Sequence, residues 1–286
     1  MITKAVIPVA GRAARLQPWA AAVSKALLPL VDGAGRLRPI IHFVIEEAFA
    51  LASMQSVALV VSADQVQPLR SYFDAAARLE GGEIFRRLEW VVQDQPRGLG
   101  HAMLMAQAFV GDQPFLAMLG DQVYQAAPAA LPMSVQLAAA YGPLKHPAAL
   151  IGMCVVGAEE LSRVGAAGGD RLSPNLYHCR SLIEKPSLQV ARRELTTEDL
   201  PADHFLAHGG LYVFGPDIFD CLGQLASVTP AGAEVQLTAA QQMLLSRRND
   251  DCYLLRLQGQ NHDVGTPRTY ARTFVHLAEA LSQARD

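Results

Sequence analysis

The chain contains 286 residues, of which 51% are hydrophobic and 18% are charged, and its formal net charge is −3. A chain of this length and apolar content buries a full core, which excludes disorder as its main state. The small negative charge excludes a global basic field that would attract nucleic acid or acidic membranes, so we expect neither as a partner. Any site for an anion must therefore be built locally.

The spacing of the cysteines and the lack of a membrane-length apolar run both bear on where the protein is located. The four cysteines, at positions 154, 179, 221 and 252, are widely spaced and form no CxxC pair. This spacing is typical of free thiols rather than of a disulfide framework or a zinc site. No apolar run approaches the roughly 18 residues of a membrane span, and the N-terminus lacks the pattern of a secretory signal. We therefore predict a cytoplasmic location.

Apolar strand-like runs alternate with helix-length segments, which predicts a mostly parallel sheet covered by helices on both faces. In chain order we predict a strand at 5–10, a helix starting at Pro39 with an apolar stripe of Ile40, Ile41, Val44 and Ala48, a strand at 57–61, a helix at 63–78, a strand at 88–92, a helix at about 99–109, strands at 115–119 and 148–156, loops with short hairpin strands at 162–187, a strand at 211–214, helices at 217–225 and 236–246, a strand at 253–257 and a helix at 266–284. We expect one domain over 1–286, in which 226–286 forms a C-terminal helical extension.

The first thirty residues combine a buried strand with a basic loop. The strand breaks at Gly11 into a loop that carries Arg12 and Arg15, and Lys25 follows ten residues later. Exposed backbone N–H groups and nearby cations are suited to binding a polyphosphate. An ordinary first strand with a solvated basic loop is the alternative, and the spacing alone favours neither interpretation.

Two acidic residues follow predicted strands further along the chain. Asp121 comes directly after the apolar strand 115–119 and Gly120, and Asp263 lies in HDVG after the strand 253–257. Open α/β sheets bind ligands at the carboxyl ends of their strands, and two converging carboxylates suit a magnesium ion. Taken singly, a turn residue and a helix N-cap are the more frequent roles of such aspartates.

Seven segments, spread along nearly the whole chain, resemble the motifs of the sugar-1-phosphate nucleotidyltransferases, and in particular those of their uridylyltransferase branch. In order they are VAGRAARLQPWAAAVSKALLPLVD at 9–32, QDQPRGLGHAM at 93–103, LGD at 119–121, EKP at 184–186, GGLYVF at 209–214, GAEVQLTAAQQML at 232–244 and HDVG at 262–265. Each segment alone is a weak signal. Their number and their shared order make coincidence improbable.

The resemblance implies a Rossmann-like fold with a mixed, mostly parallel sheet flanked by helices, of the nucleotide-diphospho-sugar transferase type. It implies Mg²⁺-dependent formation of UDP-glucose and pyrophosphate from UTP and glucose 1-phosphate by in-line displacement. Members of this family are commonly oligomeric, so a homo-oligomer is expected, with the helix at 266–284 as a candidate contact. The implied site residues are Arg15, Lys25 and Lys185 for catalysis, Ala10, Gly11, Gln93 and Gly98 for the nucleotide, Gly165, Glu184 and Lys185 for the sugar, and Asp121 and Asp263 for the metal.

The chain departs from the family pattern at several positions. Ala13 replaces the second loop glycine, Ala14 a threonine, Ala20 and Ala21 a threonine–lysine pair, and Ala233 an aspartate. If position 13 needs a positive φ, alanine costs roughly 1 kcal/mol there. Each lost cation or hydroxyl lowers transition-state stabilisation by about 1 to 3 kcal/mol, and Arg12 is one candidate replacement for the cation.

These departures leave one alternative open, a catalytically weak paralogue that binds a nucleotide sugar and regulates a partner subunit. A thymidylyltransferase that uses dTTP is a second alternative, because Gln93 can pair with the edge of either uracil or thymine. An NAD-dependent dehydrogenase is disfavoured because Gly11 begins a loop that lacks the second and third glycines of GxGxxG. A zinc site at His204 and His208 is disfavoured because no glutamate completes an HExxH motif.

Overall fold

The computed structural model describes residues 1–11 and 13–283, with side chains up to residue 280 at the C-terminal end. Arg12 and the predicted last residue of the C-terminal helix lie outside the described residues. The strands are β1 (Lys4–Pro8), β2 (Pro29–Val31), β3 (Leu37–Pro39), β4 (Ser56–Val61), β5 (Leu88–Val92), β6 (Phe115–Met118), β7 (Gln122–Ala126), β8 (Ala149–Gly157), β9 (Gly165–Ser173), β10 (Leu176–Glu184), β11 (His204–Phe214), β12 (Cys252–Arg256) and β13 (Gly259–Asp263).

The helices are α1 (Ile40–Phe49), α2 (Ala63–Glu80), α3 (Leu99–Met105), α4 (Gln107–Val110), α5 (Met133–Tyr141), α6 (Leu188–Glu194), α7 (Asp217–Val228), α8 (Leu237–Arg247) and α9 (Pro267–Gln283). The loop after β1 is built from short 3₁₀ turns at Ala14–Leu16, Trp19–Ala21 and Lys25–Leu27. The predicted helix at 99–109 is interrupted at Ala106, where ψ is 1°, and therefore forms α3 and α4.

A nine-stranded sheet in the order β5-β4-β1-β6-β11-β8-β12-β10-β9 forms the centre of the molecule. Strands β5, β4, β1 and β6 are parallel, whereas β11 runs antiparallel to β6 and β8, and β10 runs antiparallel to β12 and β9. Two small antiparallel pairs, β7 with β13 and β2 with β3, lie beside it. The predicted mixed, mostly parallel α/β sheet is confirmed.

The apolar pattern of β1 explains its central place. Val6 and Ile7 are both fully buried, but Val6 belongs to the core cluster on one face of the sheet and Ile7 to the cluster on the other. A strand buried on both faces needs a continuous apolar run rather than an alternating one. Helices α1 and α2 pack on the side of Ile7, and α3, α7 and α8 pack on the side of Val6. The predicted stripe of α1 is fully buried, which confirms that helix.

The segment 226–286 is not the helical extension that we expected from the sequence. Strand β12 lies between β8 and β10 inside the main sheet, and β13 pairs with β7. Helix α9 packs on the core of its own chain, where the Tyr270 hydroxyl donates to the Pro29 carbonyl at 2.6 Å. Strand β12 ties this segment to the main sheet and β13 ties it to β7, so we infer one structural unit.

Two elements are longer than predicted. The loops with short hairpin strands that we expected at 162–187 are a hairpin of the nine-residue strands β9 and β10, and β11 begins at His204 rather than at 211. The glycines that suggested loops are explained by close backbone approach. A Cβ atom at Gly168 would lie 2.7 Å from the Glu194 carbonyl oxygen, and one at Gly169 would lie 2.6 Å from the His178 carbonyl oxygen.

Candidate functional site

The loop after β1 borders two adjoining cavities. We call the first, of about 620 Å³, the loop cavity, and the second, of about 570 Å³, the central cavity. Both are lined by Ala10, Gly11, Lys25 and Gln93, and the central cavity also reaches Gly98 and Asp121. These residues follow β1, β5 and β6, whose carboxyl ends meet at one edge of the sheet. The predicted nucleotide residues therefore lie together around one pocket.

Ala13 adopts the left-handed conformation, with φ of 48° and ψ of 45°. Position 13 therefore needs the positive φ that was considered above, a conformation that glycine adopts without strain. An alanine there costs roughly 1 kcal/mol or slightly more. The loop keeps its left-handed turn at that cost.

The two candidate metal ligands, Asp121 and Asp263, lie on neighbouring segments. The Val264 amide donates to the Asp121 carbonyl oxygen at 3.1 Å, and Asp263 pairs with Gln122 between β13 and β7. The half-buried Asp121 carboxylate forms an ion pair with the Lys25 ammonium group. Asp263 ends its strand instead of capping a helix. Its Oδ1 accepts from the Gly265 amide at 2.8 Å, and the residue does not line either cavity.

Gln93 presents a defined hydrogen-bonding edge to the cavities. The residue is 5% exposed, and its Nε2 donates to His101 Nδ1 at 2.9 Å and to the Gly98 carbonyl at 3.4 Å. Burial lowers the pKa of His101, and the neighbouring Arg97 charge lowers it further, which favours the neutral ring that accepts at Nδ1. With its N–H groups engaged, Gln93 offers its Oε1 as an acceptor that has no partner among residues 1–11 and 13–283.

Glycine is needed at position 98 for two reasons, the backbone conformation there and the close packing of a neighbouring segment. Its φ of 87° and ψ of 178° fall in a region that is essentially restricted to glycine. A Cβ atom there would lie 2.8 Å from Glu234 Cβ. The Val235 amide donates to the Arg97 carbonyl at 2.7 Å, and the Gly100 amide donates to the Val235 carbonyl at 2.8 Å. The absence of a side chain at Gly98 thus allows the chain's own 232–236 segment to pack closely against it.

A third cavity of about 220 Å³, which we call the inner cavity, adjoins the central cavity at Leu99, Leu119 and Glu234. It is lined by Gly165 and Glu184, which face each other between β9 and β10. The Thr238 hydroxyl donates to Glu184 Oε2 at 2.8 Å and so ties α8 to this wall. The structure therefore brings the predicted sugar residues Gly165 and Glu184 together, next to the nucleotide residues.

The inner cavity contains two further polar residues, His208, which was considered above only for a zinc site, and Gln241, which the sequence did not single out. Burial lowers the pKa of His208 to about 4, although the adjacent Glu184 charge acts in the opposite direction, and His208 Nε2 is buried without a partner in the described chain. Gln241 is 2% exposed, and both of its amide atoms also lack partners there. A signal for Gln241 was present in the sequence. It is a glutamine on the buried face of α8, beside Leu237 and Leu244.

Two predicted catalytic residues lie outside the three cavities. Arg15 is exposed on the loop after β1. Lys185 is exposed after β10, with φ of 47°, and its Nζ lies 3.7 Å from Glu184 Oε1. Within the described part of the chain, no group of three or more His, Cys, Asp or Glu side chains is placed to hold a metal ion, and no helix has the length and apolar character to span a bilayer. All four cysteines are free thiols.

Comparisons with known proteins agree with this arrangement. The profile of the nucleotidyl transferase family matches residues 4–280. UTP–glucose-1-phosphate uridylyltransferase 1 of Streptococcus pyogenes serotype M3 is 33% identical over 302 aligned residues, which cover 100% of this chain and 91% of that protein. The crystal structure of a UDP-glucose pyrophosphorylase complexed with UDP-glucose has a TM-score of 0.79 at 26% identity, covering 98% of this chain and 99% of the other.

A second solved structure, the UTP-bound UGPase from Acinetobacter baumannii, has a TM-score of 0.73 at 27% identity and covers 96% of this chain and 93% of the other. The family profile and these relatives extend over nearly all of the chain, including the segments that line the three cavities. They confirm the resemblance and the Rossmann-like fold that were inferred from the motifs. The chain belongs to the nucleotidyl transferase family.

Proposed function

We propose that this protein transfers a uridylyl group from UTP to glucose 1-phosphate and so forms UDP-glucose and pyrophosphate. The observation that carries the proposal is the junction of three cavities, which gathers the nucleotide candidates, Asp121 and the sugar candidates Gly165 and Glu184. Asp263 lies on the segment beside Asp121. The names of the relatives, UTP–glucose-1-phosphate uridylyltransferase and UDP-glucose pyrophosphorylase, support this choice of substrates.

The orientation of Gln93 supports a uracil or thymine base. Its Nε2 already donates to His101 and to the Gly98 carbonyl, so the base must supply a donor for the free Oε1. Uracil and thymine carry an N3–H group that supplies this donor. The proposed pairing therefore accepts both UTP and dTTP, and the screen of nucleoside triphosphates decides between these and CTP, whose amino group is also a donor.

The reaction joins two anions, so charge is the main obstacle. A phosphate oxygen of glucose 1-phosphate forms a bond to the α-phosphorus of UTP, while the bond to the oxygen of the β-phosphate breaks and pyrophosphate leaves. The nucleophile is already ionised and needs no general base. Lys25 lines both nucleotide cavities and donates to the phosphates. The cavities hold the two substrates in line, and this positioning supplies much of the acceleration.

Enzymes of this family generally use a divalent metal ion. The residues present fit magnesium, because Asp121 and Asp263 supply oxygen ligands from adjacent segments and Mg²⁺ commonly takes only one or two carboxylates, with waters and substrate phosphates completing its shell. When bound, the ion would neutralise phosphate oxygens. Lys25 pairs with Asp121 and lines both cavities proposed for the nucleotide, so its ammonium group lies beside the carboxylate that would hold the ion.

Glu184 is proposed to accept hydrogen bonds from sugar hydroxyls. The Thr238 hydroxyl donates to one of its oxygens. Gly165 leaves space beside the Glu184 carboxylate, since a Cβ atom at Gly165 would lie 3.0 Å from Glu184 Oε2. Lys185 remains a prediction for the sugar phosphate and Arg15 for the pyrophosphate. A role for either requires its exposed side chain to turn towards the bound ligand.

The test is pyrophosphate release from four nucleoside triphosphates combined with several sugar 1-phosphates, with Mg²⁺ and with EDTA. We expect UTP and glucose 1-phosphate to be the best pair and EDTA to stop the reaction. Asp121→Asn should abolish turnover while the thermal unfolding curve stays unchanged, and the exposed Asp74→Asn is the matched control. Near-normal activity of Asp121→Asn at saturating Mg²⁺ would remove Asp121 from this role.

A catalytically weak regulator is the second candidate. Ala20 and Ala21 line the loop cavity, so the wall facing the proposed triphosphate lacks the hydroxyl and the cation of the family pattern. Tight binding of UDP-glucose without turnover of any substrate pair would favour this reading, and dTTP as the preferred nucleotide would favour a thymidylyltransferase. Homo-oligomer formation and a cytoplasmic location stay predictions, which size-exclusion chromatography and cell fractionation test.

A further inference from the structure

The inner cavity contains a side chain whose hydrogen-bonding capacity is unused. Gln241 is 2% exposed, and neither its Oε1 nor its Nε2 has a partner among the described residues. Nearly all buried polar side-chain atoms in proteins are paired, because leaving one unpaired costs about 1 to 3 kcal/mol. An amide with both ends unpaired at a cavity wall therefore indicates a partner that comes from outside the chain.

The position of Gln241 on α8 points it at the same place as the proposed sugar residues. Thr238 lies three residues earlier, on the same helix face, and its hydroxyl already holds Glu184. Both residues line the inner cavity. The neighbouring Gln242 differs, because it is exposed and its Nε2 donates to the Leu182 carbonyl at 2.7 Å. Packing alone does not explain a glutamine at 241, where the rest of the buried face is largely apolar.

The lining of the inner cavity matches hydroxyl groups better than an anion. Glu184 supplies a carboxylate, His208 a ring nitrogen without a partner in the described chain, and Gln241 one donor group and one acceptor. A hydroxyl group both donates and accepts, so two neighbouring hydroxyls fit the two ends of an amide. The charged side chains of the lining are Arg163, Glu184 and Glu234, one cation against two carboxylates, so the cavity has no excess positive charge to attract a phosphate.

We propose that Gln241 determines sugar specificity by binding two neighbouring hydroxyls of the sugar ring, accepting from one with Oε1 and donating to the other with Nε2. The protein then selects hexose 1-phosphates that carry both hydroxyls over their deoxy analogues. This inference rests on the proposed function, since it assigns the inner cavity to the sugar. Gln241 is a specificity residue and takes no part in the bond exchange at phosphorus.

The experiment compares glucose 1-phosphate with its 2-, 3-, 4- and 6-deoxy analogues, with UTP as the co-substrate. The wild-type protein should lose about a hundredfold in kcat/KM with two analogues that lack neighbouring hydroxyls. Gln241→Met, which keeps length and volume, should lower kcat/KM for glucose 1-phosphate about tenfold or more through the KM of the sugar, leave the KM of UTP unchanged, and remove the preference against those two analogues. Gln242→Met is the matched control and should retain the wild-type ranking.

A wild-type ranking in Gln241→Met overturns the inference, and so does an equal loss with every analogue, because that loss marks a structural role. If Gln241→Met fails to fold, Gln241→Glu replaces it. Because a carboxylate accepts but does not donate, this variant should discriminate only against the analogue that lacks the hydroxyl donating to Oε1. A wild-type protein that turns over no substrate pair overturns the proposed function instead. Calorimetry with UDP-glucose then decides the inference separately, and an unchanged Kd for Gln241→Met overturns it.

Discussion

Gly98→Ala is the substitution whose effects the structure defines most closely. The residue sits between Gln93 and the 232–236 segment, with φ of 87° and ψ of 178°. Alanine there meets two separate obstacles. Its backbone conformation is strained, and its Cβ atom would lie 2.8 Å from Glu234 Cβ and 3.1 Å from the Val235 carbonyl oxygen.

The destabilisation can be worked out from these two obstacles. The backbone strain costs about 1 to 3 kcal/mol. Displacing the 232–236 segment weakens the hydrogen bonds that join it to Arg97 and Gly100, at about 0.5 to 1.5 kcal/mol each if they are lost. The smaller conformational entropy of unfolded alanine returns about 0.4 to 1 kcal/mol. We expect a net loss of about 2 to 3 kcal/mol in the free energy of unfolding.

The same substitution should weaken UTP binding. The Gly98 carbonyl accepts from Gln93 Nε2 at 3.4 Å, a long and therefore weak bond that helps to orient the proposed base-reading amide. Its loss, at about 0.5 to 1 kcal/mol, predicts a two- to fivefold rise in the KM of UTP. Urea unfolding and steady-state kinetics measure the two effects independently.

Gly81→Ala is the matched control for this prediction. Gly81 also has a positive φ, of 69°, but it ends α2 and nothing lies within 4 Å of the Cβ position. Only the backbone strain remains, so we expect a loss of about 1 kcal/mol or less and unchanged kinetics. Equal destabilisation by the two substitutions would refute the argument from the 232–236 segment, and an unchanged KM of UTP would refute the coupling to Gln93.

Two further predictions concern pH and the loop after β1. Burial lowers the pKa of His208 to about 4 in the folded protein, against about 6.5 when unfolded, so between these values the unfolded state binds more protons and stability falls as pH falls. We expect the free energy of unfolding, measured with urea, to fall between pH 7 and pH 5 by about 2 kcal/mol more in the wild type than in His208→Gln. The same pH dependence of this free energy in both proteins would contradict the prediction. Ala13→Gly should relieve left-handed strain of about 1 to 2 kcal/mol at an entropy cost of about 0.5 to 1, and so raise the free energy of unfolding by roughly 0.5 kcal/mol, whereas a loss would contradict the left-handed conformation.

Much of the fold was readable from local pattern. The continuous apolar run of β1 and the stripe of α1 predicted buried elements, and both are buried as expected. Motif order predicted the family, which the comparisons confirm. The segment 162–187 was predicted to form loops with short hairpin strands, whereas β9 and β10 are nine residues long. The glycines of β9 serve close packing rather than turns, and composition does not distinguish the two.

Tertiary structure decided what local pattern leaves open. The sequence of β13 does not indicate which strand it pairs with, yet its pairing with β7 places Asp263 on the segment beside Asp121. The same holds for β12, which enters the sheet between strands distant in sequence, and for Gln241, whose place in the wall of the inner cavity depends on α8 packing against β10. Apolar patterns among neighbouring residues determined the elements of this protein, and the order of its motifs determined the family. Which strands pair, and hence which side chains share a pocket, follows from the packing of the whole sheet, and only the structure reveals it.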